Sequence, residues 1–126
     1  MNSKRKAKIT TGSVYAHLGY KDPEEMETKA NLTIEISKAI KNKKITQTNA
    51  AKILGISQPK LSELLRGRFR GYSVARLMHF LNKLGEDVDI VVSTKPKTRK
   101  ARVTVYHDNE RDSSRVPMVA REFERN

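Results

Sequence analysis

Apolar residues recur along the middle of this chain at helical spacing, and the recurrence is punctuated by glycine and proline. In PEEMETKANLTIEISKAIKNK, Leu32, Ile36, Ala39 and Ile40 fall on one face of a helical period. Ahead of them Asp22 can cap, Pro23 suits the first helical position, and Glu25 stands where a capping-box partner reaches back. Behind them Lys38, Lys41, Lys43 and Lys44 put positive charge at the end where the helix dipole is negative. The pattern predicts a long helix over residues 23–43. Two short helices, 47–54 and 58–66, are expected next. A fourth runs from Ser73, its N-cap, to Lys83, with Val74, Leu77, Met78 and Leu81 inward and Gly85 ending it.

After Gly85 the period drops to two. Val88, Ile90 and Val92 alternate with Asp87, Asp89 and Val91, which predicts a short strand with one buried face. A lone strand needs a partner, and RVTVY, Arg102 to Tyr106, is a candidate second strand within the chain. Lys95, Pro96 and Lys97 open a polar tail, and HDNERDSSRV is polar and charged enough to expect disorder. The start combines a basic arm, Lys4, Arg5, Lys6 and Lys8, with a brief apolar patch of Val14, Tyr15, Leu18 and Tyr20 that reads as a turn or a short helix. The expected organisation is an arm with a short apolar segment over 1–21, a helical domain with a terminal strand over 22–93, and a basic, largely flexible tail over 94–126.

TQTNAAKILGISQPKLSELLRG carries the most local information. Inside one continuous helix Gly55 would cost about 1 kcal/mol and Pro59 about 3. Two helices meeting at a sharp turn use both residues: Gly55 supplies a positive φ, and Pro59 sits in a first turn capped by Ser57, where a missing N–H removes no helical bond. Ala50 and Ala51 permit a close crossing, with Ile53, Leu54 and Ile56 on one side and Leu61, Leu64 and Leu65 on the other as the apolar contacts that set its angle.

Charge narrows the function. Of 126 residues, 26 are Lys or Arg and 14 are Asp or Glu, for a formal net charge of +12. An excess of that size in a small chain is most readily neutralised by a polyanion, and nucleic acid is the first candidate. Cysteine is absent, which removes disulfides and thiol chemistry and fits a reducing cytoplasm. No apolar run approaches the roughly 20 residues that span a bilayer, and the basic start lacks the apolar stretch of a secretory signal, so a cytoplasmic protein without a membrane partner is expected. His17, His79 and His107 are scattered, with no i, i+4 pair; no phosphate cradle or nucleophile elbow occurs. No enzyme, metal site or cofactor is expected.

Gln47, Ala51 four residues before Gly55, Ile56 after it, and inward Leu61 and Leu64 resemble the helix-turn-helix of phage repressors and Cro, the xenobiotic-response-element (XRE) class of bacterial regulators. A wider likeness, from VYAHLGY through LNKLGEDVDIVV, is to small proteins related to HigA antitoxins, several of which are encoded beside an RNA-cutting toxin. The resemblance implies an all-α, lambda-repressor-like DNA-binding domain of four to five helices. It further implies a sequence-specific, dimeric transcriptional autorepressor bound to a double-stranded DNA operator, with a cognate toxin protein as a further partner. A stand-alone repressor without a toxin and a charge-driven, nonspecific nucleic-acid binder are the alternatives.

Family positions that match here put Ser57, Gln58, Lys60, Ser62 and Glu63 on the face turned to the bases. Glu63 has two uses there, accepting from cytosine or holding a neighbouring cation. Pro59 replaces a polar reader common in relatives, which leaves fewer side chains for discrimination. Gln47 resembles the family's phosphate-binding glutamine. In RGRFRGYS, Arg66, Arg68 and Arg70 suit phosphates, while Phe69 and Tyr72 are expected to anchor the loop to the core. Val88, Ile90 and Val92 are the expected dimer interface. The basic arm either enters a minor groove or serves as a solubilising end.

Overall fold

The structure is a computed structural model that describes residues 21–108. The basic arm, the apolar patch of Val14 to Tyr20 and the tail beyond Asp108 lie outside the described residues. Four helices are present among those described: α1 (Pro23–Lys43), α2 (Gln47–Leu54), α3 (Gln58–Leu65) and α4 (Val74–Lys83). Each lies where the pattern of apolar positions and breakers predicts it. None is long and apolar enough to cross a membrane.

Local chemistry accounts for most helix ends. Thr46, Ser57 and Ser73 each accept from the backbone N–H three residues on, at 3.1, 3.3 and 3.0 Å, satisfying a donor that the helix itself leaves unpaired. Gly55 ends α2 with φ +77°, and the N–H groups of Gly55 and Ile56 both return to the Ala51 carbonyl, at 2.8 and 3.1 Å. A Cβ at Gly55 would have ordinary room, its nearest neighbour being Lys83 Nζ at 3.8 Å. The left-handed backbone, not crowding, is what calls for glycine there. Gly85 closes α4 in the same way, with φ +89° and the Glu86 N–H on the Leu81 carbonyl.

The start of α1 departs from the predicted capping. Asp22 has φ −120° and ψ 74°, and its side chain makes no capping bond. Its carbonyl instead accepts from the Met26 N–H at 3.0 Å, and Pro23 supplies the pre-set φ of the first turn. Glu25 pairs with Lys29 one turn on, at 3.6 Å.

One core unites the helices. α1 packs on α4 and α3, and α2 on α3 and α4. Ile36, Leu61, Leu64, Leu77 and Leu84 are its largest fully buried side chains, and Ala50 and Ala51 of α2 are buried with them. Phe80 and Leu84, absent from the predicted stripe of α4, are also buried. Ile53 is not: Ala50, Ala51 and Leu54 form the inner face of α2, and Ile53 lies off it, 41% exposed.

No strand occurs among the described residues. Residues 86–96 and 101–108 have no regular secondary structure. Val88 and Val105 pack against the helical core, yet Ile90 is 72% and Val92 91% exposed. Of the predicted buried face only Val88 is therefore covered in the single chain, because alternation sets which side chains share a face while a strand also needs a hydrogen-bonded neighbour. Residues 89–101 with 107–108 form a unit separate from that of the helices, which includes 102–106.

Candidate nucleic-acid interface

α3 has two unlike sides. Leu61 and Leu64 point into the core at 0% exposure, so the helix cannot roll without opening a void. That anchorage leaves Ser57, Gln58, Pro59 and Lys60 exposed and Ser62 and Glu63 half-buried. The five predicted base-reading residues, Ser57, Gln58, Lys60, Ser62 and Glu63, thus all lie on α3 or its cap, and none is sealed inside the molecule.

The first residues of α2 and α3 are joined. Gln58 Nε2 donates to Gln47 Oε1 at 2.9 Å across two exposed side chains. A carboxamide has two N–H donors and a carbonyl acceptor. Gln58 therefore keeps one N–H and its Oε1 for an outside partner while Gln47 holds its orientation. An adenine edge in a major groove asks for that donor and acceptor.

A model of the helix-turn-helix domain family matches residues 14–93, well over half of the chain. A solved structure that bears the name of an XRE family transcriptional regulator is 42% identical, with a TM-score of 0.65, and the match covers 69% of this chain and 99% of that one. No curated protein matches the chain. This chain belongs to the XRE-type helix-turn-helix family.

In this XRE-type domain the loop after α3 is closely held. The N–H groups of Gly67 and Arg68 return to the carbonyls of Leu64 and Glu63 at 2.9 and 3.0 Å, and Tyr72 N–H returns to the Phe69 carbonyl at 3.0 Å. Phe69 is buried, and Tyr72 packs edge-on against Phe80 with ring centroids 5.9 Å apart. Both aromatics anchor the loop, as expected from sequence. Arg66, Arg68 and Arg70 remain exposed around them.

Glu63 holds neighbouring cations in the free chain. Its carboxylate lies 3.0 Å from Arg68 and 3.6 Å from Arg66. These pairs are exposed and each worth about 0–1 kcal/mol. Their effect is to bias where the two guanidinium groups wait, beside the outer face of α3.

Two further cations of this XRE-type chain escape sequence reasoning. Arg76, in the first turn of α4, lies over the Tyr72 ring at 5.0 Å and the Phe80 ring at 5.3 Å. With Pro59, Lys60, Glu63, Arg68, Gly71 and Tyr72 it lines an open cleft of about 400 Å³ beside α3. The signal was present as an arginine soon after the Tyr72–Ser73 cap, but its neighbours on α3 are distant in sequence. The second, Lys29, is buried and gave no sequence signal.

Proposed function

We propose that this chain is a sequence-specific, double-stranded DNA-binding transcriptional regulator that acts as a dimer on an operator near its own gene. The observation that carries the reading is the two-sided α3, clamped by Leu61 and Leu64 and offering Gln58, Lys60 and Glu63 outward between exposed arginines. Family membership and the similarity to a named transcriptional regulator support it. In this reading α3 lies in the major groove, with Gln58 on adenine and Ser57, Lys60, Ser62 and Glu63 within reach of neighbouring edges. Gln47 and the three loop arginines take phosphates and set the register.

Removing a bidentate base contact costs about 1–3 kcal/mol at one operator position, whereas a phosphate contact contributes equally on any sequence. Gln58→Ala is expected to weaken binding to DNA from upstream of the gene by that amount and to leave mixed-sequence DNA nearly unaffected. Arg68→Ala is expected to weaken both alike and to reduce the salt slope by about one. Titrations of both variants on both duplexes, by fluorescence anisotropy, make the comparison. Equal losses on the two DNAs for Gln58→Ala sink direct readout.

One domain covers half an operator, so two α3 helices about 34 Å apart are required. The exposed Ile90 and Val92, with Val88, are the surface we assign to the second copy, pairing as strands across the two-fold axis. The likeness to HigA-type antitoxins supports an additional role, holding a toxin protein while DNA binding provides autoregulation. A reading frame for a small basic protein beside the gene, and copurification of its product, test that role; an isolated gene counts for the stand-alone repressor.

A further inference from the structure

Lysine is among the residues least often buried, and removing an ammonium from water carries a heavy cost unless partners offset it. Lys29, on α1, is nevertheless only 8% exposed. Its Nζ donates to the carbonyl of Arg70 at 3.2 Å, bridging 41 positions of sequence, and lies 3.6 Å from a Glu25 carboxylate that is itself half-exposed. Met26 and Ala30 flank it on the buried side of the helix. A methionine would fill the same place without burying a charge, so the amine supplies something that packing does not. What it supplies is a fixed point in the arginine loop.

That loop needs one. Gly67 and Gly71 bracket Arg68, Phe69 and Arg70; Gly67 has φ +105°, and a Cβ at either glycine would meet nothing within 4 Å. Side chains at the two glycines add no restraint, and the turn bonds of the Gly67, Arg68 and Tyr72 N–H groups are all local, closing the loop on itself or on the end of α3 without tying it to α1. The Lys29 bond fixes the plane that follows Arg70. We infer that Lys29 is a positioning residue for phosphate binding, reaching from α1 to hold the Arg70 carbonyl so that Arg68 and Arg70 are preset for the DNA backbone. The inference rests on the DNA-binding reading above. It assigns Lys29 no contact with DNA: preorganising the loop saves the ordering cost that a free loop meets on binding.

The test compares Lys29→Met, Lys29→Arg and Arg68→Ala in the full chain. Binding to a mixed-sequence duplex is titrated across salt concentrations, and amide hydrogen exchange is followed in the free protein. Lys29→Met is expected to keep slow exchange at Leu61, Leu64 and Leu77, to speed exchange at Tyr72, and to lower the salt slope by about one, as the loss of a phosphate contact does. Lys29→Arg, which retains a charged donor, is expected to restore the slope. A folded Lys29→Met with the unaltered slope overturns the inference. So does loss of protection throughout the core, which would assign the amine to folding alone. If Arg68→Ala lowers the slope and Lys29→Met does not, only the positioning role fails; if Arg68→Ala leaves it unchanged, the phosphate reading of the loop fails and this inference with it.

Discussion

Leu61→Ala is expected to lose about 2–5 kcal/mol of folding stability, because Leu61 is fully enclosed and the substitution removes apolar contact while leaving a void that close-packed neighbours refill only in part. The upper half of that range applies where collapse is hindered. Here α3 is tied at both ends, by Ser57 capping at Lys60 N–H and by the carbonyls of Leu64 and Glu63 that hold the following loop. Domains of this kind have only about 5–15 kcal/mol in total, so the variant should sit near the edge of the folded state at 37 °C. Urea denaturation should show a lower midpoint at unchanged slope, and the melting temperature should fall by roughly 10 °C or more. Ser62→Ala, one residue on and half-buried, is the control and should move stability by no more than about 0.5 kcal/mol. A loss below 1 kcal/mol for Leu61→Ala would mean that α3 is not clamped by its inner face. Its outward polar side would then not be held toward anything.

Where helices begin and end was legible because those choices are made by one or two residues acting on their immediate neighbours. Ser57, Ser73, Gly55 and Gly85 each do what their side chains, or the lack of one, dictate over three or four positions. Asp22 shows the limit: a capping residue is only an opportunity, and its backbone angles direct the carboxylate elsewhere. The α3 face was legible for the same reason as the helix itself, since inward Leu61 and Leu64 decide which residues point out. What was not legible is the set of bonds across sequence. Gln58 to Gln47, Arg76 over Tyr72 and Phe80, and Lys29 to the Arg70 carbonyl depend on how elements lie in space, and no local pattern encodes them. Lys29 was the hardest case. On sequence a lysine within a charged helix reads as solvated surface, and only the fold shows that it faces inward.

If the chain is the dimer proposed above, Ile90→Lys is expected to halve the solution mass, to the 14.4 kDa of one chain, and to weaken operator binding by roughly 10²–10⁴-fold, the gain that joining two half-site contacts ordinarily confers. Ile90 and Val92 leave most of their apolar surface in water in the single chain, and among the described residues no strand pairs with their backbone. Unpaired donors and acceptors beside alternating apolar side chains are a template for a second strand, and a lysine on such an edge is a known obstacle to pairing. Ile90 is 72% exposed and lies outside the helices, so far-ultraviolet circular dichroism and the melting profile of the monomer should stay close to those of the parent at low concentration. Binding to a single half-site should survive, because α3 and its arginines are untouched. Light scattering and operator titration separate the rivals. If this segment makes no contact between copies, the substitution leaves the mass unaltered, and a variant that stays a folded dimer removes Val88, Ile90 and Val92 from the interface. The dimer would then have to be sought on α1 or α4, and the spacing of the two α3 helices, set through their shared contact, would have to be derived anew from whichever helix carries it.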